Sequence, residues 1–110
     1  MTQPNERRRR AVDRLRGLLW GRHLRARPCT HRDQIRDVSP ASKGCAACIE
    51  LGDSWMHLRM CLICGHVGCC DNSKNRHATQ HFHATGHPII RSAEPGENWM
   101  WCYIDQVLLT

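Results

Sequence analysis

Aromatic residues are scarce in this sequence: four Trp, one Tyr and one Phe in 110 residues. A chain so poor in large core-forming side chains builds a small hydrophobic core, which contributes only a few kcal/mol, roughly 3–5. That excludes a fold held by packing alone and requires staples of some kind. No apolar run reaches membrane-spanning length, which excludes a transmembrane helix. No apolar signal-peptide core opens the chain, and the expectation is a cytoplasmic protein. A Ser/His/Asp series, a paired-carboxylate motif and a glycine-rich phosphate loop are also missing, so the expectation is that the chain is not an enzyme. No internal repeat is visible, and the length suits one small domain.

What is abundant is cysteine and histidine, eight of each. They are spaced as metal ligands. Cys45-Ala-Ala-Cys48 and Cys61-Leu-Ile-Cys64 are two knuckles, Cys69-Cys70 follows, and His77, His81 and His87 arrive at steps of four and six. Cys29-Thr-His31 stands upstream and Cys102 downstream. Thiolate and imidazole are soft or borderline donors that suit zinc, and two Cys-x-x-Cys pairs followed by spaced histidines mark a structural zinc domain. A disulfide framework is the competing use of an even cysteine count, but it gives the histidines no role. Zinc also answers the shortage of core, because its binding at a structural site is worth roughly 10–16 kcal/mol and is coupled to folding.

Charge divides the chain in two. Residues 1–27 hold nine Arg against Glu6 and Asp13, a net +7. Residues 28–110 hold seven Lys or Arg against eight Asp or Glu, a net −1. The basic balance thus belongs to an arm, 1–27, and not to the body, 28–110. The arm carries the run Arg7-Arg8-Arg9-Arg10 and then an approximate helical stripe of Val12, Leu15, Leu18, Leu19 and Leu24, weakened by Gly17 and Gly21. It reads either as a basic helical segment that meets nucleic acid or an anionic membrane through residues 7–27, or as a solvated, disordered tail.

Within the body, residues 32–44 read as a turn-rich linker ending in Ser39-Pro40-Ala41-Ser42-Lys43-Gly44. Residues 55–61 partly alternate and predict a strand with Trp55, His57 and Arg59 on one side. Gly65 and Gly68 flank an expected tight turn. Ser73 is placed to cap a helix over about 74–85, with Gly86 as its stop. On that helix His77 and His81 share a face at i and i+4. Residues 89–90, 99–104 and 107–109 are short strand candidates, with a turn at Glu94-Pro95-Gly96-Glu97.

The body resembles the UBP-type zinc finger, the ubiquitin-recognition finger of deubiquitinating enzymes and of a cytoplasmic histone deacetylase. The resemblance runs from about Cys29 to Leu109. It rests on Cys-x-His at 29–31, Cys-x-x-Cys at 45–48, Cys-x-x-Cys-x4-Cys at 61–69, His-x3-His-x5-His-Pro at 77–88 and Trp-Cys-Tyr at 101–103. It implies an α+β domain, a twisted antiparallel sheet with one main helix and interleaved zinc sites. One zinc would take Cys45, Cys48, Cys69 and His77, and a second Cys61, Cys64, His81 and His87. Both would be closed four-ligand shells, the structural pattern. Cys29, His31 and Cys102 match the ligands of a third site, and Asp105 stands where three-zinc members have their last cysteine. Asp105 can ligate zinc or serve as a solvated turn residue. Cys70 stands where the family has glycine; Cys69 is taken as the ligand and Cys70 as a spare thiol. His57, His66 and His83 read as non-ligands.

The resemblance also implies a function: capture of the free C-terminal tail of a ubiquitin-like protein, with Trp101 and Tyr103 as matching aromatic positions and Trp55 as a third wall. Flat rings suit a glycine tail because they pack on backbone. The rings read equally as core. Ubiquitin readers have an arginine after Cys-Gly, and here Asp71 follows Cys69-Cys70, which removes a charge-assisted donor and adds a repelling charge. Lys74, Arg76 and Arg59 are the cations that can replace it. The combination is similar to stand-alone bacterial members of the family. The alternative expectation is a structural or adaptor zinc domain whose arm binds nucleic acid or membrane.

Overall fold

The computed structural model describes residues 28–109. The arginine arm and Thr110 lie outside them, and with them every expectation placed on residues 1–27. A short 3-10 turn at Arg32–Gln34 opens the described chain. It is followed by α1 (Ala46–Leu51), β1 (Leu58–Cys61), β2 (Val67–Cys69), α2 (His77–Thr85), β3 (Ile89–Ser92), β4 (Met100–Cys102) and β5 (Val107–Leu109). The five strands form one antiparallel sheet in the order β2-β1-β3-β4-β5. This is the α+β domain expected, with α2 as the longer helix and α1 in addition.

Strand pairing sorts the side chains into two faces, since neighbours in register share a face. Met60 pairs with Val67, Ile89 with Cys102, Met100 with Leu109 and Cys102 with Val107. This face buries Met60, Val67, Ile89, Cys102 and Leu109 as the main core, covered by Ile35 and Val38 of the segment before α1. That segment is tied down by Arg36 N–H donating to the Leu62 carbonyl (2.8 Å) and Ala41 N–H to the Gly65 carbonyl (2.8 Å). The other face carries Arg59, Cys61, Gly68, Ile90, Ser92, Trp101 and Leu108. There α2 packs on β1 and β2. It comes so close over Gly68 that a Cβ at that position would sit 2.6 Å from the Ala78 nitrogen.

Local chemistry explains the departures from the sequence reading. The helix begins at His77 rather than 74, and Ser73 does not cap it. Arg76 is the residue before it, in the left-handed region at φ 48°. The His77 amide instead donates to the Cys69 sulfur at 3.2 Å, so a thiolate takes the anion-binding role of a capping oxygen. Ser73 is buried, and its hydroxyl accepts from Met56 N–H at 2.8 Å. That bond fixes residues 55–57 as a loop, and β1 starts only at Leu58. The tight turn lies at Cys61–Gly65, closed by Gly65 N–H to the Cys61 carbonyl (2.9 Å), while Gly68 sits inside β2. The first knuckle is itself helical: α1 starts at Ala46, and Gly52 at φ 76° closes it, its amide donating back to Cys48 and Ile49.

Candidate metal centres and the adjoining cleft

Three clusters gather in space, each with four ligand atoms within 4.8 Å of one another: Cys45, Cys48, Cys69 and His77; Cys61, Cys64, His81 and His87; and Cys29, His31, Cys102 and Asp105. A tetrahedral zinc with sulfur at about 2.3 Å and nitrogen at about 2.0 Å has ligand–ligand edges of about 3.5–3.8 Å. The observed separations run from 3.0 to 3.8 Å, at or somewhat below that figure. In the first cluster Cys48 Sγ lies 3.7 Å from Cys69 Sγ, and His77 Nδ1 lies 3.2, 3.4 and 3.6 Å from the sulfurs of Cys45, Cys48 and Cys69. In the second, Cys61 Sγ is 3.6 Å from His87 Nδ1 and Cys64 Sγ is 3.3 Å from His81 Nε2. In the third, Cys102 Sγ is 3.6 Å from His31 Nδ1 and 3.8 Å from Asp105 Oδ2.

The backbone is arranged for thiolates. Amides of His31, Ile63, His77 and Asp105 donate to the sulfurs of Cys29, Cys61, Cys69 and Cys102 at 3.2–3.4 Å. Asn75 Nδ2 adds a donor to Cys48 Sγ at 3.5 Å. Such donors orient ligands and offset negative charge on sulfur. Without metal, burial pushes the Cys102 thiol up to about 11 and raises Cys61 as well. Burial, with the neighbouring His66 and His87 rings, pushes His81 down to about 4, which keeps its imidazole in the neutral, ligating form. Zinc entering the second cluster therefore displaces the Cys61 thiol proton and meets the His81 imidazole already deprotonated.

Asp105 lies in the turn between β4 and β5, partly buried and hydrogen-bonded. Its Oδ2 lies 3.0 Å from His31 Nδ1 and accepts from Thr30 N–H (2.7 Å) and Thr30 Oγ1 (2.9 Å). Burial opposes its ionisation, but these bonds outweigh it and hold the carboxyl below its usual range. Cys70 points away from all three clusters, with Sγ 3.6 Å from Ser73 Oγ. Burial opposes its ionisation too, and bonds from Ser73, Asn72 and His57 bring it down to about 7. His66 stacks on His81, ring centres 4.2 Å apart, and stands beside the second cluster. His57 and His83 are exposed.

Beside the clusters lies a cleft of about 510 Å³ on the helix-bearing face of the sheet. Its walls include Trp99, Trp101, Tyr103, Ile90, Leu108 and Ala78, with Arg59, Cys70, Asp71 and Asn72 at its polar side. Trp101 and Tyr103 are in it as the sequence suggested. Trp55 is not among the lining residues; it packs beside Cys45, Cys48 and Cys69, and its ring lies 3.0 Å from where a Cβ on Gly44 would stand. Trp99 takes the third aromatic place. The signal for it was the alternation of Trp99, Trp101 and Tyr103 at i, i+2 and i+4, which puts all three on one side of an extended chain. Of the three cations considered, Arg59 lines the cleft, its guanidinium 4.6 Å from the centre of the Trp99 ring. Lys74 lies 3.4 Å from Asp53, and Arg76 is exposed at the start of α2. Asp71 is anchored by Thr79 Oγ1, which donates to its Oδ1 at 2.6 Å and lies 3.2 Å from the Tyr103 hydroxyl. Tyr103 stacks on Phe82 at 4.6 Å, and burial pushes its phenol up to about 12.

The sequence profile described as Zn-finger in ubiquitin-hydrolases and other protein matches residues 45–109. Among solved structures, that of protein RPA1320 from Rhodopseudomonas palustris, determined by solution NMR, is 54% identical, with a TM-score of 0.70 over 76% of this chain and 81% of that one. The NAD-dependent deacetylase sir2A of Dictyostelium discoideum is 39% identical over 59 residues, which are 54% of this chain and 10% of that protein. The chain thus matches about a tenth of that curated relative's length. Among the described residues no helix is long and apolar enough to cross a membrane.

Proposed function

This chain belongs to the zinc-finger family found in ubiquitin hydrolases and other proteins, and from that premise we propose that it is a non-catalytic recognition module that captures the C-terminal tail of a protein partner. Zinc is its cofactor. In this reading the first two clusters are closed shells of four protein ligands each, and Cys29, His31, Cys102 and Asp105 hold a third ion. When bound, the metal supplies structure, because four protein donors leave no position for an activated water. The chain's own residues do the recognising.

One observation carries the reading: three aromatic walls and a cation, Arg59, meet in one cleft. An extended glycine tail packs its backbone on flat rings. Its terminal carboxylate needs a charged donor, and Arg59 is held in place by the Trp99 ring and by its own bond to the Leu58 carbonyl at 3.0 Å. This supplies from β1 the charge that ubiquitin readers place after Cys-Gly.

Tryptophan fluorescence of the zinc-loaded chain, titrated with a Gly-Gly-ended peptide and with its C-terminal amide, tests the proposal. A saturable change with the free acid and a weaker one with the amide is expected. No change up to millimolar free acid would sink it. The net +7 of residues 1–27 favours a second activity of the same chain, polyanion binding by the arm. Deleting residues 1–27 should abolish retention on nucleic acid or anionic vesicles, and unchanged retention would remove the idea.

A further inference from the structure

The three clusters are not built alike. The first offers three sulfurs and one nitrogen, and its cysteines are fully buried. The second offers two sulfurs and two nitrogens. The third offers two sulfurs, one nitrogen and one carboxylate oxygen, and of its four residues only Cys102 is buried. Thiolate and imidazole suit zinc, whereas carboxylate is the preferred donor of harder ions. Place in the fold differs as well. His77 and His81 of the first two clusters belong to α2, which packs on β1 and β2, so opening either cluster means moving that helix. Cys29 and His31 precede every element of the described chain, and the 3-10 turn after them buries none of its residues. The backbone of this segment meets the sheet at Arg36, whose amide donates to the Leu62 carbonyl at 2.8 Å. Detaching residues 28–31 therefore opens the third cluster while leaving helices and strands in place, the kind of local opening that a chain end undergoes most readily.

One oxygen atom joins this segment to the β4–β5 turn. Asp105 Oδ2 accepts from the Thr30 amide (2.7 Å) and from the Thr30 hydroxyl (2.9 Å). The same oxygen lies 3.0 Å from His31 Nδ1 and 3.8 Å from Cys102 Sγ, which makes it the ligand atom that Asp105 brings to the cluster. Thr30 thus aims a donor that it does not itself supply, as residues behind metal ligands do. We infer that the third cluster is an exchangeable zinc site, the first of the three to give up its ion. While loaded it clasps the root of the arginine arm to the β4–β5 turn, and Thr30 is the residue that positions Asp105 for this. The inference rests on the reading that the third cluster holds an ion, and it adds the order of release and what release sets free. Cys102 stands between Trp101 and Tyr103, so the clasp also joins the arm to the segment that carries two of the cleft's rings.

The test titrates the zinc-loaded full chain with a chelator, counts bound ions by native mass spectrometry and follows deuterium uptake segment by segment. Three ions are expected at the start, then a plateau at two, where residues 29–31 exchange fast and β1, β2 and α2 stay protected. Thr30→Val keeps the side chain's shape but removes its hydroxyl, and it should weaken the third ion alone by about tenfold or more. Thr30→Ser should bind it as the native chain does. Asp105→Cys gives the third cluster the donor set of the first. It should hold three ions, with residues 29–31 protected, at the chelator concentration that leaves the native chain with two. Release of all three ions in one step, early exchange around the second cluster instead of residues 29–31, or unchanged affinity in Thr30→Val or Asp105→Cys overturns the inference and leaves the third site standing. Binding of only two ions in excess zinc overturns both.

Discussion

Two adjacent cysteines make opposite predictions, and serine at each position separates them. Cys69 is fully buried, its sulfur 3.7 Å from Cys48 Sγ and 3.6 Å from His77 Nδ1, and it accepts the His77 amide at 3.2 Å. Cys70, one residue on, faces Ser73 and the cleft. In Cys69→Ser a neutral hydroxyl replaces a thiolate, so the cluster keeps three donors and loses its hold on an ion. A structural zinc is worth roughly 10–16 kcal/mol, against a total stability of about 5–15 kcal/mol for a small domain. Even half of that figure removes most of the margin. Cys70→Ser removes only a long sulfur contact with Ser73. Native mass spectrometry and thermal melts by circular dichroism read both effects. Cys69→Ser should carry one zinc fewer than the native chain and melt far lower or start unfolded; Cys70→Ser should keep the native count and shift by a few degrees at most. Metal loss in Cys70→Ser with retention in Cys69→Ser would refute the assignment of the first cluster.

Three further outcomes are expected. Gly68→Ala puts a Cβ 2.6 Å from the Ala78 nitrogen and 2.9 Å from its Cα, both backbone atoms of α2. It should lower stability by about 1–3 kcal/mol in urea at saturating zinc, and a change under about 0.5 kcal/mol would contradict the contact. Tyr103 is the chain's single tyrosine, so absorbance at high pH reports it alone. Its midpoint should lie near 12 and not near 10, because burial disfavours the phenolate. The folded state then binds a proton that the unfolded state has lost. This contribution to stability is full below pH 10 and disappears as pH rises toward 12; a midpoint at 10 would place the ring in solvent. Finally, Trp55→Phe should preserve the fluorescence response to a tail peptide, and Trp101→Phe should diminish it; the opposite pattern would move the ligand to the far side of the first cluster.

Ligand spacing was legible because a metal site demands particular donors at particular intervals. The knuckles at 45–48 and 61–64 and the histidines at 77, 81 and 87 announce themselves before any fold is known. Strand existence after residue 88 was legible for the same kind of reason, through alternation. What could not be read were effects that pass through space. Ser73 has the chemistry of a helix cap but is used 17 residues back in sequence, at Met56. Cys69 caps α2 from eight residues away, a role no capping rule assigns to cysteine. Gly68 read as a turn glycine, yet its lack of a side chain serves the approach of α2. Trp55 and Trp99 were interchangeable by composition, and only the alternation of Trp99 with Trp101 and Tyr103 sets Trp99 apart as the cleft residue. Asp105 could be weighed as ligand or turn residue, but its link to Thr30, 75 residues earlier, needs the folded chain.

Metal clusters and cleft are built from alternating residues of the same segments, and this explains how so few aromatic residues form a defined surface. Cys69 belongs to the first cluster, and the next two residues, Cys70 and Asp71, line the cleft. His77 belongs to the same cluster, and its neighbour Ala78 lines the cleft while Thr79 anchors Asp71. Cys102 sits in the third cluster between Trp101 and Tyr103, both of the cleft. A strand sends successive side chains to opposite faces, so fixing Cys102 on the core face presents Trp101 on the other. In a chain with a thin core, ordering those rings by packing alone would have to offset roughly 1–2 kcal/mol of backbone entropy per residue. Bonds to metal on the adjacent residues take over that task. The cleft's charges follow the same logic, since Asp71 is positioned by what Cys69 and α2 are bound to. The aspartate that departs from ubiquitin readers therefore stands two residues after a member of the first cluster and is held by Thr79 of α2.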